Sequence, residues 1–174
     1  MILPLKLSVI VPVFNEMASL PVILDRIVAA IPEVEKEIIV VDDCSTDGTI
    51  SWLRQTLGNE VKVAVPGPDG RVCIGPPEQG RPCATVRALF HARNSGKGAA
   101  LRTGFAAANG DVLVVQDADL EYDPAEWANF WPLFKNDIAD VVYGSRFYGR
   151  PHRSLIILPI DLFRLCSAFF TIRL

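Results

Sequence analysis

Hydrophobic positions along the chain switch between two periods. "LSVIVPV" (7–13) and "EIIVVDD" (37–43) are short, nearly continuous runs rich in β-branched residues, the pattern of strands covered on both faces. Between them Leu20, Ile23, Leu24, Ile27, Val28 and Ile31 recur in steps of three and one, which predicts a helix with one buried stripe. "STDGTISWLRQTL" (45–57) predicts a second helix, with Ser45 or Asp47 placed to accept amide hydrogens of its first turn. "VRALF" (86–90) reads as a short strand, "GKGAALRTGFAAANG" (96–110) as an Ala-rich helix closed by Gly110, and "DVLVVQD" (111–117) as another strand. "PAEWANFWPLF" (124–134) is a helix opened by Pro124, with Trp127 and Trp131 packing it on a sheet, and "ADVVYGSRF" (139–147) is the final strand.

Strands alternating with helices imply parallel pairing through right-handed crossovers. The expected architecture is α/β, a three-layer sandwich with helices on both faces of a mostly parallel central sheet. One domain over 1–153 carries a Pro/Gly-rich insertion at about 58–85, where "VKVAV" precedes "VPGPDGRVCIGPPEQGRPC" and a surface hairpin is expected. The apolar tail over 154–174 is interrupted by Pro159, Asp161 and Arg164, which oppose a bilayer span. An interfacial amphipathic helix, truncated and able to touch a membrane surface, suits it; a core helix is the alternative.

Composition narrows the function classes. With 174 residues, half of them apolar, the chain can close one core, and its net charge of −3 lacks the basic footprint of a nucleic-acid binder. The four cysteines show no metal-binding CxxC spacing, so a reducing compartment is expected, and whether Cys73 and Cys83 pair stays open. No basic region or cleavage site flanks the first apolar run, so the expected location is cytoplasmic.

The polar residues that follow the strands carry the chemistry. Ligands of open parallel sheets collect beyond the carboxyl ends of the strands, and those ends bear Asn15 and Glu16, Asp42 and Asp43, Asp117 and Asp119, and Ser145 and Arg146. Two carboxylates at i and i+2 lie roughly 6 to 7 Å apart on extended backbone. Such a pair suits a hard cation, Mg²⁺ or Mn²⁺, that keeps places for phosphate oxygens. The plainer role for Asp119 and Asp123 is turn formation and helix capping before Pro124, and for Asp42 backbone satisfaction at a turn. His91 and His152, lacking a partner at catalytic spacing, read as structural or surface residues.

Taken in order, "SVIVPVFNE", "EIIVVDDCSTDGT", "GKGAALRTGF", "GDVLVVQDADLEYDP" and "DVVYGSRF" resemble the family 2 glycosyltransferases of GT-A fold, above all the dolichyl- or polyprenyl-phosphate mannose synthase branch. The resemblance spans residues 7 to 147. It implies a nucleotide diphosphate sugar, GDP-mannose or UDP-glucose, with Pro12, Phe14 and Glu16 holding base and ribose and Val41 and Asp43 adding to the base pocket. Asp117, Ala118 and Asp119 match the DxD motif, with Asp117 and Asp119 as metal ligands and Asp119 the direct one. Arg146 would lie near the donor phosphates, and Lys97 with Gly98 would border the crevice.

The implied reaction moves a hexose, mannose or glucose, to a polyprenyl or dolichyl phosphate with inversion, at the cytoplasmic face of the membrane. Asp117, Asp119 and Arg146 are its candidate catalytic residues. Two other readings compete: a nucleotide-sugar-binding remnant without turnover, and a receiver-like phosphoacceptor domain, whose acidic pair belongs after the first strand. A dinucleotide-dependent dehydrogenase lacks its GxGxxG.

Overall fold

The structure, a computed structural model, describes residues 5–58, 62–66, 72–75, 84–144, 155–156 and 169–173. In chain order its elements are β1 (Leu7–Val13), α1 (Leu20–Ala29), β2 (Lys36–Asp42), α2 (Thr49–Thr56), β3 (Lys62–Pro66), β4 (Val72–Gly75), β5 (Ala84–Phe90), α3 (Lys97–Ala107) and β6 (Val112–Val115). A 3-10 turn at Pro124–Glu126 then leads into α4 (Trp127–Lys135), followed by β7 (Val141–Gly144), β8 (Leu155–Ile156) and β9 (Phe169–Arg173).

Among the described residues the strands form one sheet in the order β4-β3-β5-β2-β1-β6-β9-β7-β8. Its centre, β5-β2-β1-β6, is parallel throughout. Side-chain alternation divides two cores. Val9, Val11, Val13, Ile38 and Val40 face the helices α1, α2 and α4, whose Ile23, Ile27, Leu53, Trp127 and Phe134 are buried with them. Ile10, Ile39 and Val41 point the other way, onto Ala100 and Phe105 of α3. That is the expected three-layer arrangement.

The helix α3 lies so close to β1 that a methyl group at Gly104 would collide with Ile10. Gly110 does not close this helix, which ends at Ala107 with Ala108 as an extended cap. Its role is close approach: a Cβ there would press on the Lys6 carbonyl at 2.8 Å, and its N–H donates to Ser8 Oγ. Ser8 in turn donates to Glu37, which also accepts the Asn109 N–H, so this network ties β1, β2 and the α3 exit together. At the end of α1, Lys36 Nζ donates to the carbonyls of Ala30 (2.6 Å) and Ile31 (3.1 Å).

The pairing departs from the sequence expectation at both edges. β3 and β4 form the expected hairpin, but β3 joins β5 antiparallel. "ADVVYGSRF" is not the last strand: β9 inserts antiparallel between β6 and β7, and β8 pairs with β7. The described parts of the tail, 155–156 and 169–173, are therefore strands where an interfacial helix was expected. "FFTIR" is aromatic and β-branched, and ladder bonds on both sides satisfy its backbone, which outweighs the helical reading. Among the described residues, no helix is long and apolar enough to cross a membrane.

Candidate functional site

In register, Val13 of β1 lies beside Asp42 of β2, and Asp42 beside Phe90 of β5, so these strands end level. Beyond them opens a cavity of about 220 Å³ lined by Pro12, Val13, Phe14, Glu16, Asp43, Lys97, Ala100, Asp117, Ala118 and Asp119. Eight residues expected from the sequence thus meet in one place. Val41 is not in the lining; its side chain is fully buried in the small core with Ile10 and Ala100. Gly98 is not in the lining either. Arg146 and Ser145 lie outside the described residues, as does His152.

The loops after β1 and β2 are fastened to each other. Asn15, held at φ 60°, takes Ser45 Oγ as acceptor for its N–H, while its own Oδ1 accepts from Thr46 N at 2.7 Å. Asp47 accepts from Met17 N and from both Thr49 N and Oγ1. It is therefore Asp47, not Ser45, that serves the first turn of α2. Burial tends to raise the Asp47 carboxyl, and these donors, Thr49 first, hold it below the ordinary aspartate value. The consequence is a stiff base from which Phe14, 46% exposed, stands at the cavity rim. Glu16 accepts from Ser19 Oγ.

Asp43 is nearly sealed. Its carboxylate accepts the N–H groups of Ser95 and Gly96, the latter at 2.6 Å, and His91 Nδ1 lies 2.7 Å from Oδ1. Burial tends to raise this carboxyl, but the Ser95 amide, the His91 ring and the Gly96 amide outweigh it and hold it below the ordinary value. His91 Nε2 meets Thr103 Oγ1 at 2.9 Å. With Asp43 ionised, Nδ1 carries the proton, and a neutral ring accepts from Thr103 at Nε2. His91, read from the sequence as structural or surface, has a structural role here, and the partner that its sequence position did not show is Asp43. It directly follows β5, as Asp43 directly follows β2.

Asp42 accepts from Ser45 N at 3.0 Å, the turn role expected for it. Asp123 caps the 3-10 turn through Ala125 N, also as expected. Gln116, fully buried, donates to the carbonyls of Asp117 and Tyr122 and so braces the segment that presents the two aspartates.

Asp117 and Asp119 differ in their engagement. Both oxygens of Asp117 lie 2.7 Å from Lys97 Nζ. Asp119 Oδ1 accepts from Glu121 N, which leaves Oδ2 without a protein donor among the described residues. The fit to a divalent cation can be judged on this donor set. It offers hard carboxylate oxygens, and Asp117 already accommodates a positive charge. Among the described residues no group of three or more His, Cys, Asp or Glu could enclose a metal. Among the described residues, the carboxylates that a cation could meet here are those of Asp117 and Asp119, and Mg²⁺ commonly binds through one or two carboxylates with substrate phosphates and water completing its shell.

The chain matches the family described as "Glycosyl transferase family 2" over residues 8–65 and 83–170. It is 34% identical, over 68% of its length, to an undecaprenyl-phosphate 4-deoxy-4-formamido-L-arabinose transferase of Aeromonas hydrophila, covering 30% of that protein. It is 32% identical, over 82% of its length, to a dolichol-phosphate mannosyltransferase of Pyrococcus furiosus, covering 34% of it. The chain thus spans about a third of the length of these curated relatives. Among solved structures, the mannosyltransferase PcManGT of Pyrobaculum calidifontis, in complex with GDP-Man and Mn²⁺, superposes with a TM-score of 0.57 at 25% identity, over 82% of this chain and 36% of that one.

Proposed function

Because the chain belongs to glycosyl transferase family 2, we propose that its cavity binds a nucleotide diphosphate hexose, with mannose or glucose as the sugar, and delivers the hexose with inversion to a polyprenyl or dolichyl phosphate. One observation carries the donor assignment: among the described residues the lining combines an exposed aromatic ring with four carboxylates, Glu16, Asp43, Asp117 and Asp119, against a single ammonium, Lys97. A diphosphate entering such a lining meets net negative charge. A divalent cation joining the site would offset that charge.

Phe14 offers a face for the base and Glu16 an acceptor for ribose hydroxyls. Asp43, kept ionised by its donors, accepts from the nucleoside. Asp117 and Asp119 would hold Mg²⁺ or Mn²⁺, which supplies Lewis-acid stabilisation of charge on the departing diphosphate. Arg146 is assigned to the same phosphates. These groups favour the transition state because charge on the leaving group grows as the bond to C1 breaks.

The acceptor phosphate is already anionic near neutral pH and attacks C1 without a general base, as a sugar hydroxyl could not. The names of the bacterial and archaeal relatives, a polyprenyl-phosphate and a dolichol-phosphate transferase, support that acceptor class. A lipid-borne acceptor would place the protein at the cytoplasmic membrane surface. The test is a transfer assay with radiolabelled GDP-mannose and UDP-glucose and polyprenyl phosphate in detergent. Label entering the lipid phase is expected; nucleotide binding without transfer would leave a binding remnant in place of an enzyme.

A further inference from the structure

The ammonium of Lys97 occupies the position on Asp117 that a metal ion needs. Its Nζ lies 2.7 Å from each carboxylate oxygen, so neither oxygen is free of it. A second cation on the same carboxylate would sit within a few ångströms of the first, and the two charges would repel. Either the divalent ion is refused or the lysine leaves.

The construction of the α3 start favours departure. The backbone on either side of Lys97 is held: Ser95 and Gly96 donate to Asp43, and Ala99 N–H returns to the Gly96 carbonyl. The side chain is not held in the same way. It is 58% exposed and, among the described residues, is tied by Asp117 alone. Four methylenes allow the ammonium to swing without disturbing the helix. Once off Asp117, it remains at the amino end of α3, where unpaired helix amides already favour anions.

We propose that Lys97 is an exchangeable internal counter-ion: it neutralises Asp117 in the empty site, yields that carboxylate to the divalent cation, and then engages the donor diphosphate. The inference rests on the reading of the cavity as a cation-assisted nucleotide-sugar site. It makes cation and diphosphate binding mutually favourable, since each removes a cost that the other would meet alone.

The test is a titration of Mn²⁺, followed by the electron paramagnetic resonance signal of the free ion, into the wild type, Lys97→Met and Lys97→Arg, with and without GDP or UDP. Without nucleotide, Lys97→Met should bind Mn²⁺ roughly five- to tenfold more tightly than the wild type, while Lys97→Arg, which keeps a cation on Asp117, should not. With Mn²⁺ saturating, Lys97→Met should bind the nucleoside diphosphate more weakly than the wild type. Equal or weaker Mn²⁺ binding by a folded Lys97→Met protein overturns the proposal. If that equality comes with Mn²⁺ binding that Asp119→Ala abolishes, the cation-site reading survives alone. If neither wild type nor Lys97→Met takes up Mn²⁺ with or without nucleotide, both fall.

Discussion

His91 Nδ1 lies 2.7 Å from Asp43 Oδ1, across the gap between the ends of β5 and β2. This contact joins a residue that lines the cavity to one that does not, and it fixes the direction in which Asp43 presents its remaining lone pairs. His91→Ala is expected to lower stability by about 1.5–3 kcal/mol, the range for losing a hydrogen bond to a charged group. Urea denaturation checks the value. His91→Asn, which can still donate, should recover part of it.

Asp43 also sets a pH dependence, together with Asp47 and Glu37. At Glu37, too, burial tends to raise the carboxyl while Ser8, Asn109 and Lys6 bring it below the ordinary value. A carboxyl whose folded pKa is depressed stabilises the fold above its unfolded value, 3.8 for the aspartates and 4.5 for Glu37, and that stabilisation disappears as pH falls through the folded values. Stability should hold level near pH 6 and decline from about pH 4.5 downward. Glu37→Gln should flatten part of the decline in an acid titration followed by circular dichroism.

Lys36 acts at the opposite end of the pH scale. Burial lowers its pKa from 10.5 to about 8 against the opposing charge of Glu33. Between these values the unfolded chain binds more protons than the folded one, so the Lys36 contribution makes stability rise with pH from about 8 to 10.5. Lys36→Met should remove that rise. Chemical denaturation at pH 8 and pH 10 compares the two proteins.

The helix α3 carries Lys97 toward the cavity, and its height above the sheet depends on Gly104. Gly104→Ala forces a methyl group onto Ile10 and is expected to cost about 1–3 kcal/mol by overpacking. A thermal melt reads the loss, and pairing the change with Ile10→Ala, which removes the Cγ2 atom that the new methyl would strike, should restore part of it.

The strand ends were legible because carboxylates follow apolar runs within a few residues, which is how Asp43, Asp117 and Asp119 stand out beside Phe14 and Glu16. Features that depend on strand order were not. The pair Lys97 and Asp117 spans 20 residues, and the contact of His91 with Asp43 spans 48, and both require β5, β2, β1 and β6 to be placed side by side. The position of β9 between β6 and β7 is equally non-local, since nothing in "FFTIR" names its partners. Val41 is a different case: it is buried in the small core although its register partner Pro12 lines the cavity, so strand parity alone does not separate the two.

The central claim is that Asp117 and Asp119 bind a divalent cation against the diphosphate of a sugar nucleotide. Calorimetric titration with GDP-mannose and UDP-glucose, in Mn²⁺ and then in chelator, tests it most directly. The expected result is binding of one donor that weakens roughly tenfold or more, at least 1.4 kcal/mol, when the cation is removed, and an Asp119→Ala protein indifferent to the cation. Equal affinity with and without Mn²⁺ in the wild type, or unaltered cation dependence in Asp119→Ala, would contradict it.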